Sequence, residues 1–402
     1  MPSANKGRAA EALLCAAAVR ERCGLVFATA ERGETRHFQL DLAFLDAAAD
    51  RVAATTRRRY PDLSVPYHSR WRHFSAGGID RAALVTPAAG STEEARARID
   101  LAVLSVLLDA GAGRGWRYRE AETGQVLQRS EGLAVASLRA MQRGLFSADP
   151  DNPWRADAAA LARLPAALLA AAFQHGPGNE LPGLEHRAGL LRRLGEVCAG
   201  DRLRFGAPAR PGHLFDYWRA QGDRLSATEI LKTVLDALGA VWPARMSLGG
   251  VPLGDCGRHS AIPGDGLVPF HKLSQWLAYS LVEPLQAAGL GIPGLDQLTG
   301  LAEYRNGGLF LDCGVIAPRE PGLLSRPLDA MSEPVVEWRA LTVALLYRLA
   351  PLVRARLGKS AAEFPLACLL EGGSWAAGRE IAFERRRDGS APIAIITDGT
   401  LF

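Results

Sequence analysis

No stretch of this chain approaches the ~20 consecutive apolar residues needed to span a bilayer, so no membrane-spanning segment is expected. The alanine-rich segment near the start is interrupted by Arg20, Glu21 and Arg22, which fits an amphipathic helix and not a secretion signal. Clustered basic charge is also missing. A formal charge of +4 spread over 402 residues gives no basic face of the kind that grips nucleic acid, and any positive potential better suits one small anion. The six cysteines form neither a CxxC nor a paired framework, which points to a reducing, cytoplasmic setting. Cys256 and His259 supply two metal-ligand types without partners at metal-site spacing, so no metal is expected. Walker loops, GxGxxG and GxSxG are absent, as are Ser-Ser-Lys or Cys-Glu-Lys amidase patterns and internal repeats, and no cofactor is expected.

What is present reads as helix. Apolar periodicity predicts helices over 8–23, 40–59, 92–109, 131–142, 156–174, 181–198, 226–238 and 335–356. The 92–109 segment is apolar almost all round and should be central; Ser226 and Glu229 form a capping box. Residues 243–268 and 371–380 are rich in turn formers, and 381–397 alternates apolar and charged residues across Asp388-Gly389, as a β-hairpin would. The expected fold is mainly α: one compact domain with an N-terminal helical part at 1–150, a core and site region at 151–378, and a small C-terminal β-hairpin at 379–402.

Two stretches concentrate polar chemistry. In residues 263–316 a glycine- and proline-rich entry leads into a helix from about His271, whose Leu273, Leu277, Leu281 and Leu285 form one apolar stripe. The opposite stripe carries Lys272, Gln275, Trp276, Tyr279 and Glu283; pocket wall and surface helix with half-buried rings are both open readings. In residues 65–78, His68, Arg70, Trp71, Arg72, His73 and Phe74 bring guanidinium forks beside flat rings, as a loop binding a planar or anionic ligand would, or as one anchored by its rings with solvated arginines. Asp216 sits in a third, aromatic loop at 211–218.

The motifs HSRWRHF, LAVLSVLLDAGAG, VPFHKLSQWLAYSLVEP and LAEYRNGGLFLDCGVI, in this order, resemble a family of bacterial and fungal proteins tied to uracil catabolism, long filed as a domain of unknown function. The resemblance spans essentially the whole chain. It implies a small-molecule partner, a ribosyl or ribosyl-phosphate compound of the ribosylurea type, and a place among other uracil-catabolism enzymes. A more distant resemblance is to queuosine 5′-phosphate N-glycosidases, whose fold is like that of helix-hairpin-helix DNA glycosylases. Their Phe-Tyr-Lys-Arg-Ala-Gln and Leu-Thr-x-x-Ala-Asp-Tyr-Arg stretches correspond to Phe270–Gln275 and Leu298–Arg305 here. By that match Lys272 contacts a 5′-phosphate and Glu303 takes the catalytic carboxylate's place. Glu303 is one methylene longer, and Asn306-Gly307-Gly308 replaces bulkier residues, a change that would suit a smaller leaving group such as urea.

Cleaving an N-glycosidic bond builds positive charge at the anomeric carbon, which a nearby carboxylate stabilises. Glu303 is the first candidate; Arg305 would keep it ionised, Tyr304 would bond the ribose or the water, and Asp312 is a rival carboxylate. Lys272, Arg70 and Arg72, helped by His68 or His271, would hold a phosphate; Trp71, Trp276 and Tyr279 would stack on a ureido group, with Gln275 or Asp216 bonding its amide. The alternative is a binding or channelling protein for a pyrimidine-catabolism intermediate, without catalysis.

Overall fold

The computed structural model describes residues 2–87, 90–109, 111–113, 115–242 and 245–396, with side chains from residue 7 onward. Among them helices dominate, and every strand is two or three residues long, paired in two-stranded ladders. The chain divides into two compact units, one built from residues 2–68, 245–275 and 294–396, the other from 69–242 and 276–293. The Lys272–Ala287 helix therefore begins in the first unit and ends in the second.

In the first unit the Glu333–Leu357 helix is central and packs against Ala16–Glu31 and Leu45–Arg59. Val335, Leu341, Leu345, Leu346 and Leu349 are fully buried, a near-continuous apolar run that no single-faced surface helix would need. Antiparallel pairing of Phe38–Leu40 with Ile316–Pro318, and of Cys256–Arg258 with Leu267–Pro269, closes its edges. All six cysteines are free thiols. In the second unit the Thr92–Leu107 helix is buried nearly all round, capped by the Ser91 hydroxyl, and packs against Arg129–Gln142. The Ser226–Glu229 capping box is also present.

Three expectations change. Residues 379–402 do not form a hairpin: Trp375–Arg385 is helical, Ile395–Ile396 pairs in parallel with Leu328–Asp329, and 397–402 lie outside the described residues. The helix wins because Gly378 permits contact that a β-carbon would block, at 2.2 Å from the Arg305 carbonyl oxygen, while Ile381 and Ala382 go to the core. Asp388-Gly389 turns the chain out of that helix, with the Gly389 N–H bonded to the Arg386 carbonyl at 2.8 Å. Residues 371–380 are not turns either, since Leu366–Leu369, a π-helical Leu370–Ser374 and Trp375–Arg385 run on from one another. Finally, two predicted helices break: the first at Cys15, whose sulfur accepts the Ala18 N–H, and the one over 156–174 ahead of Pro165, into Ala158–Leu161 and Ala166–Ala172.

Candidate functional site

The Lys272–Ala287 helix starts where Asp255 holds it. The Asp255 carboxylate accepts the Lys272 N–H at 3.0 Å, and its carbonyl accepts those of Phe270 (2.9 Å) and His271 (3.2 Å). His271 sits at φ 49, a left-handed conformation costly for a residue with a β-carbon, so Lys272 is placed by a backbone the surroundings over-determine. Its ring bonds the Leu13 carbonyl at 2.9 Å, and burial pushes its pKa down; its contacts are those of a structural histidine. Both terminal nitrogens of Arg339 grip Asp255, at 2.8 and 2.7 Å. Burial pushes the Asp255 carboxyl up, but Arg339 and the Lys272 N–H together hold it below the usual range. Arg339 also lies 3.9 Å from the Phe270 ring centroid and its Nε reaches the Ala302 carbonyl at 3.4 Å. One guanidinium thus ties the residues before Lys272 to the residue before Glu303.

A second tie is Gln275. Its amide donates to the Phe270 carbonyl (3.0 Å) and to the Thr299 hydroxyl, and its oxygen accepts the Thr299 N–H at 2.7 Å. Gln275 therefore joins the two stretches that resemble the glycosidase motifs, a use that leaves its amide turned to protein and not to a ligand.

Glu303 is 7% exposed and caps the Tyr304–Asp312 helix, accepting the N–H groups of Arg305 (2.7 Å) and Asn306 (2.5 Å). Burial raises its pKa; the two N–H bonds, then the charges of Lys272 and His68, pull the other way without cancelling it. Lys272 and Glu303 thus share one electrostatic neighbourhood inside the first unit. Arg305 does not ion-pair with Glu303. Its guanidinium donates to the Gly389 carbonyl at 2.9 Å and lies 4.9 Å from the half-exposed Tyr304 ring, so only its backbone N–H serves the carboxylate. Asp312 is held bidentately by Arg386 at 2.8 and 2.6 Å. It borders an open cleft of about 840 Å³ with Arg51, Arg58, Glu380 and Glu384, whose charges pair across it. Gly307 answers to packing and not to a leaving group: a β-carbon there would lie 2.6 Å from the Trp338 indole, which donates to the Gly307 carbonyl at 3.1 Å.

His68 belongs to the same unit and brings Glu371, which the motifs did not single out. His68 Nδ1 stands 2.9 Å from Glu371 Oε2, while Oε1 takes the Tyr60 hydroxyl at 3.2 Å and Arg59 Nη2 at 3.4 Å. In the sequence its two following glycines read as a turn, whereas in the structure Glu371 lies on the π-helical Leu370–Ser374 segment.

Arg70, Trp71, Arg72, Trp276, Tyr279 and Asp216 lie in the second unit. Fully buried Arg70 donates to Asp109 at 2.6 Å and to the Ser105 hydroxyl at 2.7 Å. Arg72 ion-pairs with Glu283, and the Trp71 indole donates to the Ser280 carbonyl at 2.8 Å. The rings of Trp71 and Phe74 are buried and anchor the loop, and each of the two guanidiniums has a carboxylate partner, Asp109 for Arg70 and Glu283 for Arg72. Trp276 and Tyr279 are buried, so the stripe opposite the leucines is interior, with Arg70 5.6 Å from the Trp276 ring and His73 packed edge-on against it. Asp216 is chelated by Arg96 at 2.8 and 2.6 Å. Among the described residues no group of three His, Cys, Asp or Glu side chains is placed to hold a metal ion, and no helix is long and apolar enough to cross a membrane.

Residues 12–402 match the family described as "Protein of unknown function (DUF1688)". The chain is 38% identical over 399 residues to Protein urg3 of Schizosaccharomyces pombe, covering 96% of each. It is 36% identical over 429 residues to Uracil catabolism protein 4 of Lachancea kluyveri, covering 96% of this chain and 97% of that one. These matches bear out the family resemblance read from the motifs.

Proposed function

This chain belongs to the DUF1688 family, and on that premise we propose that it is an N-glycosidase-type hydrolase of uracil catabolism, splitting a ribosylurea or its 5′-phosphate into the ribose compound and urea. The observation that carries this reading is Glu303, a buried, under-compensated carboxylate beside Lys272. Structural carboxylates are usually paired; one left to backbone N–H groups and a nearby cation is poised for charge that arrives with a substrate. In the reaction the C1′–N bond breaks with its electron pair going to the urea nitrogen, and the oxygen of water bonds to C1′. Glu303 faces the positive charge that C1′ gains as the bond lengthens. Lys272 holds the 5′-phosphate as a point charge, and half-exposed Tyr304 bonds the sugar or the water. The name of the Lachancea kluyveri relative supports the pathway, and the agreement of the Phe270–Gln275 and Leu298–Arg305 stretches with glycosidase motifs supports the bond type.

The test is urea release from ribosylurea 5′-phosphate by purified protein, without added metal or nucleotide. Glu303→Gln is expected to abolish release while the far-ultraviolet circular dichroism stays unchanged. No release from any ureido-riboside would sink the reading. One observation favours a second reading, a binding or channelling protein: both Glu303 oxygens already accept backbone N–H groups, as a purely structural cap would. Tight binding without turnover, indifferent to Glu303→Gln, is its signature.

A further inference from the structure

Glycosidic C–N cleavage needs more than a carboxylate facing C1′. Urea leaves poorly as an anion, so a proton must reach its nitrogen as the bond breaks. Resting on the glycosidase reading, we propose that His68 is the acid that supplies this proton and that Glu371 is its positioning residue, two roles within the first unit.

The geometry is that of an oriented imidazole. His68 Nδ1 is 2.9 Å from Glu371 Oε2, which fixes the ring and favours the form protonated at Nδ1; Nε2 lies on the opposite edge of the ring. The His68 backbone N–H is itself bonded to the Ala367 carbonyl at 3.0 Å, four residues before Glu371, so main chain and side chain are fixed to the same segment. His68 also acts electrostatically on Glu303, the residue assigned to the anomeric charge. Charged and titratable groups that face the dyad include Arg59 and Tyr60, which bond the other oxygen of Glu371, and Glu303, on which both His68 and Lys272 act.

A second observation is independent of the dyad. Leu370–Ser374 is a π-helix, a wider and less stable turn that persists where something requires it. Two glycines let it press on the Leu45–Arg59 helix: a β-carbon on Gly373 would lie 2.5 Å from Val52 Cγ1 and 2.6 Å from the Thr56 hydroxyl, and one on Gly372 3.2 Å from Thr56 Cγ2. The wide turn and its glycines carry Glu371 to His68, Arg59 and Tyr60, and Arg59 also bonds the Glu371 carbonyl at 2.7 Å. Tyr60 and Arg59 hold the carboxylate aimed at the imidazole through its other oxygen.

The step balances. Protonated His68 gives its Nε2 proton to the urea nitrogen as that atom takes the C1′–N electron pair; water adds to C1′ and its surplus proton returns to the imidazole. Products are the ribose phosphate and neutral urea, and the dyad ends as it began.

His68→Asn tests this, because the Asn amide nitrogen sits near the position of Nδ1 and keeps the bond to Glu371 while removing Nε2. With ribosylurea 5′-phosphate, single-turnover urea release is expected to fall about 100-fold or more, the usual contribution of a general acid. KM should change little, and the alkaline limb of the kcat profile, where the acid loses its proton, should disappear. Glu371→Gln is expected to lower the apparent pKa of that limb and to reduce kcat less, with Glu371→Asp recovering part of the loss. If the wild type releases urea and His68→Asn matches it in rate and pH profile, the assignment is overturned alone. A wild type that releases none overturns the glycosidase reading and this assignment with it.

Discussion

Glu120 and Glu303 are both buried carboxylates, one in each unit, and the fold treats them in opposite ways. Glu120 is fully buried and surrounded by cations: Arg81 donates at 2.8 and 2.6 Å, Arg139 at 2.8 Å, and the Thr123 hydroxyl at 2.6 Å. Burial pushes its carboxyl up, and Arg81, Thr123 and Arg139 more than offset that, bringing it down to about 2. Glu303 meets the same burial with two backbone N–H groups and two less intimate cations, and its pKa stays raised. Glu120 is compensated by two guanidiniums where it stands, whereas Glu303 is held by main-chain N–H groups, a difference that makes Glu303 the better candidate for a site.

The sharpest way to break this contrast is to remove each charge. Glu120→Gln strands Arg81 and Arg139 in the interior, and loss of about 3–5 kcal/mol of stability is expected from denaturant unfolding. Glu303→Gln keeps an oxygen at the helix start and removes an under-compensated charge, so its cost should stay within about 1 kcal/mol. Equal losses in the two variants would mean that Glu303 is as structural as Glu120. Between these extremes lies Gly373→Ala, which forces a methyl group against Val52 and Thr56 and should cost about 1–3 kcal/mol while reducing urea release by displacing Glu371.

The pH dependence of stability separates the two carboxylates by sign. Glu120 has a depressed folded pKa, so its contribution is present above the ordinary value of 4.5 and is lost as pH falls through about 2. Glu303 has a raised one: the folded state binds its proton more tightly than the unfolded chain, so stability falls as pH rises from 4.5 through the raised value. Unfolding midpoints measured across this range should show a shallower low-pH slope in Glu120→Gln and a shallower slope above 4.5 in Glu303→Gln than in the wild type.

Legibility in the sequence follows the range of the interactions. The Thr92–Leu107 helix and the Ser226–Glu229 capping box depend on neighbours within a few residues, and pattern alone placed them. The pairing of the arginines in the 65–78 loop was not legible because their partners are distant: Asp109 for Arg70 and Glu283 for Arg72 carry no local mark of it. Glu371 was hidden for the converse reason. Its Gly-Gly neighbours read as a turn, and only the packing on Val52 and Thr56 makes them part of a helix. Glu303 and Lys272 stood out through motif resemblance; that Glu303 is also a helix cap was latent in its position just ahead of the Tyr304–Asp312 helix.

The smallest expected effect tests the compensated class at its weakest member. Asp216, read from its aromatic loop as a group for a ureido amide, gives both oxygens to Arg96 at the surface, where its side chain is 39% exposed. Solvent screens such a pair, so Asp216→Asn should cost no more than about 1 kcal/mol. Because its carboxylate faces Arg96 and its charge is balanced on the spot, urea release should match the wild type in kcat and KM. A rise in KM with unchanged stability would return Asp216 to the substrate. It would also mean that local compensation by a guanidinium does not mark a carboxylate as structural, and the contrast between Glu120 and Glu303 would lose its force.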